Sequence, residues 1–475
     1  MNDQITMLTE IEDYMSRESL SISRFAEKCG LHSGTLSNII NSNRPIAMQQ
    51  LDRITEAMGQ SAGYYYDLYI DSYILGGSAN WRRIGPLLLR CAELDKLEAI
   101  RRVVGNILDH LVYLPLLFES AEELYHRHLY AAAAIIYESV AEGERLQHSE
   151  RLALCRFRLF HISLGDNQAA NLHAANQFEP YVERLDECDQ LDAIKTLADV
   201  YASLRQWDKV EYWATLLSRK ASVQYQYFAH NDPSEKQSSR PLIYYVMYGY
   251  LSLAGVNDER EDYGEALRYT LMYSDTSWIK LPVSDEEALI VEQFQEWATT
   301  NQYLYRLMSG QTAVLAEYIG YLQPREQEIF PALFKIMQAA NRFQMDVDHI
   351  LERFHRHLAY QEQQSRLGSF TEPLTKDRYT RFLTELAIYH LRKERWDDGL
   401  HYLLGSLEYS IRIMSDSNIA ICIGLFEKYR AHARPEHVER YHHYIYSELN
   451  SQKYKDLVYC FLPNTSRIPS TAEVR

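Results

Sequence analysis

No run of about 18 apolar residues occurs anywhere in the 475-residue chain, which excludes a membrane-spanning helix. Glycine (19) and proline (13) are scarce. So long a chain with so few turn residues reads as helices joined by short connections. Cys29, Cys91, Cys155, Cys188, Cys422 and Cys460 are scattered, with no Cys-x-x-Cys pair. That pattern argues against a zinc site and suits a reducing compartment. The opening MNDQITMLTEIEDYM is acidic and lacks the basic start and apolar stretch of a signal peptide. A cytoplasmic protein is therefore expected. The chain also lacks GxxxxGK[ST], HExxH and GxSxG. Neither an enzyme nor a cofactor is expected.

Histidines do not change this. His126 and His128, and His355 and His357, stand two residues apart, a spacing that points to different helix faces. His442-His443 is the remaining tight group, and no metal site is expected. Cys155 and Cys422 lie in apolar helical surroundings and read as inert core. The carboxylate runs Asp258–Asp262 and Asp285–Glu287 read as solvated helix starts, where the helix dipole favours negative charge.

What is present in quantity is apolar and aromatic side chain: 46% apolar residues, with 37 tyrosines. That is ample for sizeable cores and more than one ordinary domain. Net charge is −16.

One stretch is organised differently from the rest. Ile22–Gly59, ISRFAEKCGLHSGTLSNIINSNRPIAMQQLDRITEAMG, reads as three short helices. Ile22–Lys28 and Ser33–Asn41 flank a tight turn at Cys29-Gly30-Leu31, where Gly30 supplies the left-handed residue. Ser33 sits at an N-cap position. Met48–Met58 forms the third helix, closed by Gly59. Residues 1–20 read as a preceding helix, with Ile5, Leu8, Ile11 and Met15 at helical spacing.

The stretch resembles the lambda-repressor-type (Xre) helix-turn-helix, on Phe25-Ala26, Gly30, Leu36-Ser37-Asn38-Ile39, Asn43-Arg44-Pro45, Leu51 and Ile54. The resemblance implies that Ser33, Gly34, Thr35, Ser37 and Asn38 meet double-stranded DNA in the major groove, with Asn43 and Arg44 on backbone phosphate. A purely structural alternative has Ser33 capping and Thr35 packing. Between Ser21 and Arg53, four cations face two carboxylates, a local charge of only +2. Phosphate neutralisation dominates DNA affinity, so a homodimer that doubles the contacts is expected.

Gly63–Tyr69 is dense in rings and reads as a fastening between this module and the remainder of the chain. From Trp81 the pattern becomes repeated helix pairs, about nine of 30 to 40 residues each. They are read as 81–108, 116–145, 149–185, 189–222, 241–274, 284–322, 325–356, 375–413 and 415–450. The anchors are Tyr130 with Ala133, Trp207 with Val210, Tyr263 with Ala266 and Trp396 with Gly399. Each sets a ring three places before a small or branched residue, so that one helix can seat its partner. The skeleton resembles the tetratricopeptide repeat in degenerate form, with Gly399 where alanine is usual.

The expected fold is thus all-α: a helix-turn-helix domain (1–62), a connecting segment (63–80), a right-handed α-solenoid of degenerate tetratricopeptide repeats (81–462) and a tail (463–475). Ala229–Pro241 and Gln361–Lys376 read as polar loops. A peptide in the inner groove needs its backbone groups satisfied, which asparagine and tyrosine side chains can do. Candidates there are Asn171, Asn176, Tyr201, Arg205, Tyr245, Tyr248, Asn301, Tyr305 and Asn341, with a structural role as the alternative for each.

Helix-turn-helix followed by repeats, over essentially the whole chain, resembles the peptide-pheromone-responsive (RRNPP) regulators of Gram-positive bacteria. Gly63–Tyr69 and Trp81–Leu94 share that likeness. It implies a cytoplasmic homodimeric transcription regulator in quorum sensing, whose repeat domain binds a short signalling peptide and thereby changes dimer geometry on an operator. Two alternatives share the architecture. One is a repeat scaffold for a protein partner, with DNA binding secondary. The other is a metabolite-responsive or phage-type control protein.

Overall fold

The computed structural model describes residues 7–41, 46–75, 80–108, 110–147, 149–228, 238–280, 283–369 and 371–448. They are helical almost throughout, as the all-α expectation requires. Strand among the described residues is confined to β1 (Gln364–Ser365) and β2 (Gly368–Ser369), paired antiparallel. The chain forms two compact units, Met1–Ile162 with Tyr181–Leu185, and Ser163–Pro180 with Asp186–Arg475.

The first unit opens with α1 (Met7–Arg17), α2 (Ile22–Lys28), α3 (Ser33–Asn41) and α4 (Met48–Ala57). It continues with α5 (Tyr66–Ile70), α6 (Trp81–Glu93) and α7 (Leu97–Ile107). α8 (Leu114–His126), α9 (Tyr130–Gly143) and α10 (Glu150–Ser163) follow. Met7, Ile11 and Tyr14 give α1 its buried stripe, with Leu8 and Met15 packed beside it; Ile5 lies outside the described residues.

Ser21 caps α2, its hydroxyl accepting from the Arg24 amide at 3.3 Å. Gly30 ends the helix at φ +62°, and the Leu31 amide reaches back to the Ala26 carbonyl at 2.8 Å. A Cβ on Gly30 would meet nothing within 4 Å, so the backbone sign and not space calls for glycine. The cap of α3 differs from expectation. His32 holds that position, its Nδ1 accepting from the Gly34 amide at 3.2 Å, and Ser33 is already helical.

Among the tyrosines after α4, Tyr66 and Tyr69 are structural. Both are fully buried. The Tyr66 hydroxyl donates to Asp52 at 2.6 Å, whose other oxygen takes Arg90 of α6 at 2.9 Å. Tyr69 donates to the Ile46 carbonyl at 2.7 Å. Buried residues from Met7 to Cys155 belong to one hydrophobic cluster.

The second unit contains α11 (Gln168–Phe178), α12 (Glu187–Ser203), α13 (Trp207–Phe228), α14 (Leu242–Glu259) and α15 (Tyr263–Ser274). Then come α16 (Asp285–Met308), α17 (Leu315–Leu322), α18 (Glu326–Arg342) and α19 (Asp348–Arg353). α20 (Glu372–Arg392), α21 (Trp396–Arg412), α22 (Asp416–Tyr429) and α23 (Pro435–His443) complete it. Paired helices fall where the anchors place them: Tyr130, Trp207, Tyr263 and Trp396 each begin the second helix of a pair. The stretch 149–185 divides, α10 lying in the first unit and α11 in the second.

A recurrent backbone turn links the helices of a pair. Asp95, His128, Arg205, Glu261, Gln344 and Glu394 all have left-handed φ between 53° and 62°. The next amide then bonds back across the turn, as from Gln206 to Tyr201 at 2.9 Å and Arg395 to His390 at 2.9 Å. Side chains at left-handed positions are unfavourable by about 1–2 kcal/mol, and glycine is absent from all six. Gly399 answers a different need. A Cβ there would stand 2.6 Å from Leu391 Cγ and 3.0 Å from its amide nitrogen, so alanine does not fit between α20 and α21.

Two loop and cap expectations change. Within 361–376 the chain makes the β1–β2 hairpin, and α20 has begun by Glu372, with Pro373 in its first turn where proline suits a helix start. Residues 229–237 and 463–475 lie outside the described residues. Asp285–Glu287 does open a helix, with Ser284 and Glu287 forming a reciprocal cap. Asp258 and Glu259 do the opposite: they end α14, and Asp258 is buried.

Finally, α12 packs on α20 across a long sequence separation. Polar contacts tie neighbouring segments together as well: Lys376 of α20 meets Asp166, just before α11, at 2.5 Å, the Gln168 amide of α11 donates to the Ile413 carbonyl after α21 at 3.0 Å, and Arg205 after α12 donates to Asn418 of α22 at 2.8 Å. Within the second unit, α12, α14, α16, α18 and α20 border one cavity.

Candidate functional site

In the first unit, α3 carries the expected DNA-facing residues. Leu36 and Ile39 point into the core, which leaves Ser33, Gly34 and Asn38 exposed and Thr35 and Ser37 half-buried. Ser37 Oγ accepts from Asn41 Nδ2 at 2.9 Å. Asn43 and Arg44 lie outside the described residues. α3 itself has no charged side chain, and two of its neighbours' cations are engaged: Arg53 donates to the Gly30 carbonyl at 3.0 Å and Lys28 to the Tyr14 hydroxyl at 2.6 Å.

In the second unit, a cavity of about 290 Å³ is lined by Trp207 and Val210 of α13, by Tyr318 of α17 and chiefly by α12, α14, α16, α18 and α20. Each of the last five contributes a stripe at helical spacing, such as Trp297, Asn301, Leu304 and Tyr305 on α16. Of the nine groove candidates, Tyr248, Asn301 and Tyr305 come together here.

The other six lie off this lining and are engaged within the fold. Asn171 is fully buried and brackets Gly165, donating to its carbonyl at 2.7 Å and accepting from its amide at 3.0 Å. Tyr201 is core, its hydroxyl on Glu179 at 2.6 Å and Asn176 at 3.2 Å. Tyr245 donates to Asp192, and Asn341 to Glu385 at 2.8 Å. Arg205 occupies the left-handed turn after α12.

The charged groups of this cavity are absent from the sequence-based candidates. Lys335 Nζ lies 2.6 Å from Asp258 Oδ2 and 3.5 Å from Glu259 Oε1. Arg381 grips both oxygens of Glu259. Burial works to raise the Glu259 carboxyl, but Lys335 and Arg381 outweigh it and hold the group at about 2. Asp258 goes the other way, pushed up by burial against the pull of Lys335. Burial likewise raises Asp377 against Arg205, and Glu328 against a hydrogen bond from Trp297 Nε1 at 3.0 Å. Burial also lowers Arg378. Asp199 is paired with Lys195 at 2.7 Å and accepts from Tyr248. The available signal was the spacing of Asp377, Arg378 and Arg381, which puts three charges on one face of α20.

A more open cleft of about 460 Å³ lies by the hairpin, where Arg366 pairs with Glu296 at 2.9 Å. Cys155 and Cys422 are fully buried, and burial raises both thiols, so neither offers a reactive thiolate. No helix among the described residues is long and apolar enough to cross a membrane.

The cavity can hold a small ligand, or two or three residues of a longer one, against a lining of apolar side chains and largely buried charges. No protein-family model matches this chain, and no curated protein matches it.

Proposed function

We propose that this chain is a DNA-binding transcription regulator whose second unit takes a short signalling peptide. In this reading α2 and α3 are an Xre-type helix-turn-helix, and the paired helices are degenerate tetratricopeptide repeats. The protein works as a cytoplasmic homodimer in quorum sensing. Peptide binding shifts the packing of the second unit, and with it the spacing of two α3 helices on an operator.

The observation that carries the proposal is the convergence of seven helices on one cavity with fixed polar groups. The exposed, uncharged end of α3 supports the DNA half, because Ser33 and Asn38 are open to a partner while Leu36 and Ile39 hold the helix down. The test is selection from a random duplex pool by the purified full chain, followed by gel shifts with and without captured peptides. Absence of any selected duplex overturns the DNA half.

One observation favours a second reading. A volume of about 290 Å³ is at the small end for ligand sites, which suits a metabolite as well as a peptide. A thermal-shift screen of peptides against metabolites decides between them.

A further inference from the structure

We infer that the ligand places a cationic group, an ammonium or a guanidinium, on Asp258 at the end of α14. This deepens the peptide reading above and rests on it. The starting point is an odd placement. Asp258 and Glu259 are the last two residues of α14, where the helix dipole is itself negative and disfavours carboxylates. Both are drawn into the cavity lining rather than turned to solvent.

Most of the local charge is matched. Glu259 is held by Arg381 through two bonds of 2.8 and 3.0 Å. Asp199 has Lys195 and Tyr248. Asp377 faces Arg205 at 3.7 Å and accepts from Gln168 at 3.3 Å. Glu328 accepts from Trp297 at 3.0 Å. Asp258 has Lys335 on Oδ2 at 2.6 Å, and nothing on Oδ1. Among the described residues, Asp258 Oδ1 is the one buried carboxylate oxygen without a hydrogen-bond partner, on a residue only 7% exposed.

Ionised beside Lys335, a carboxylate oxygen only accepts, so the group that satisfies Oδ1 is a donor. A buried acceptor of this kind is unfavourable until that donor arrives. An anionic ligand fits worse. It would meet the negative end of α14 and compete for Lys335 and Arg381, which Asp258 and Glu259 already occupy. Two further orphans line the same cavity, Thr300 Oγ1 and Tyr318 OH, on residues 6% and 0% exposed. Hydroxyls donate as well as accept, so these two suit the carbonyls that flank a charged group in a peptide.

The cation can come from a lysine or arginine side chain or from a free peptide amine, and the experiment separates them. Immobilised full-length protein is challenged with two random heptapeptide libraries, one with free N-termini and one N-acetylated. Enrichment of lysine or arginine at one position in both libraries supports the inference with a side chain as the source. Capture confined to the free-amine library supports it with the N-terminus. Captured peptides with neither feature overturn the inference and leave the peptide reading standing. No capture from either library overturns both.

For the best captured peptide, Asp258→Asn weakens binding roughly tenfold or more, the scale of a charge-assisted hydrogen bond. Unchanged affinity overturns the assignment. Should that variant not fold, the same peptide with its lysine replaced by norleucine, or its amine acetylated, reads the loss on unaltered protein.

Discussion

Arg381 of α20 and Glu259 of α14 stand 122 residues apart in sequence and form a two-bonded ion pair of 2.8 and 3.0 Å. Both side chains are 17% exposed, so neither charge is easily rehydrated when the other is lost. Removing one partner from such a pair leaves an uncompensated charge, at about 3 kcal/mol. Glu259→Gln therefore lowers stability by about that amount at pH 7, measured as the shift of the urea midpoint.

The pH dependence of that difference has a definite sign. The Glu259 carboxyl is held at about 2 in the fold against an ordinary 4.5. A depressed carboxyl stabilises the fold fully above the unfolded value, and the contribution is lost as pH falls through the folded one. The gap between parent and Glu259→Gln should narrow from about pH 4.5 down to about pH 2. A constant gap over that window would show that Glu259 is not held by its cations.

Two substitutions in one helix pair should move stability in opposite directions. Glu394 is exposed and left-handed at φ 59°, so Glu394→Gly relieves strain and stabilises by about 1 kcal/mol. Gly399→Ala forces a methyl against Leu391 and destabilises by about 1–3 kcal/mol. Calorimetric melting of the two variants beside the parent checks both.

In the first unit, Tyr69→Phe deletes the donor to the Ile46 carbonyl and leaves that buried group unsatisfied. The expected loss is about 1–3 kcal/mol, read by denaturant unfolding. Tyr66→Phe should be milder, because Asp52 keeps Arg90 at 2.9 Å.

Asn38 is exposed on α3 and makes no buried contact that the fold needs. Asn38→Ala should leave the circular dichroism spectrum unchanged and weaken binding to a selected duplex by about 1–3 kcal/mol, the scale of one base-reading pair. Equal affinity for the selected and scrambled duplexes in both proteins would remove Asn38 from recognition.

The helix pairs were legible in the sequence for a simple reason. Trp207, Tyr263 and Trp396 are large rings at the first residue of a second helix, each followed three places on by a residue the partner helix needs small or branched. Tyr248, Asn301 and Tyr305 could be found for the same periodic reason. The turns were hidden, because Asp95, His128 and Glu394 take the left-handed shape that glycine usually signals. The cavity charges were hidden more deeply. A charged residue reads as solvent-facing, and nothing local to Asp258 reports that Lys335 lies 2.6 Å away. The run from Asp258 to Asp262 straddles a helix end and a helix start, and sequence alone saw only the start.

The polar contacts that tie the segments around α11 and the end of α12 to α20, α21 and α22 have a consequence for how the second unit comes apart. A stack whose members touch only their neighbours melts from its ends, repeat by repeat, like a one-dimensional chain of weakly coupled spins. Here Asp166 and Lys376 join members far apart in that order. Fraying one end then means breaking contacts with the other, so intermediates lose their advantage and the unit's melting becomes a single sharp event. High salt screens those joints and should return the gradual, end-first melting of an open stack.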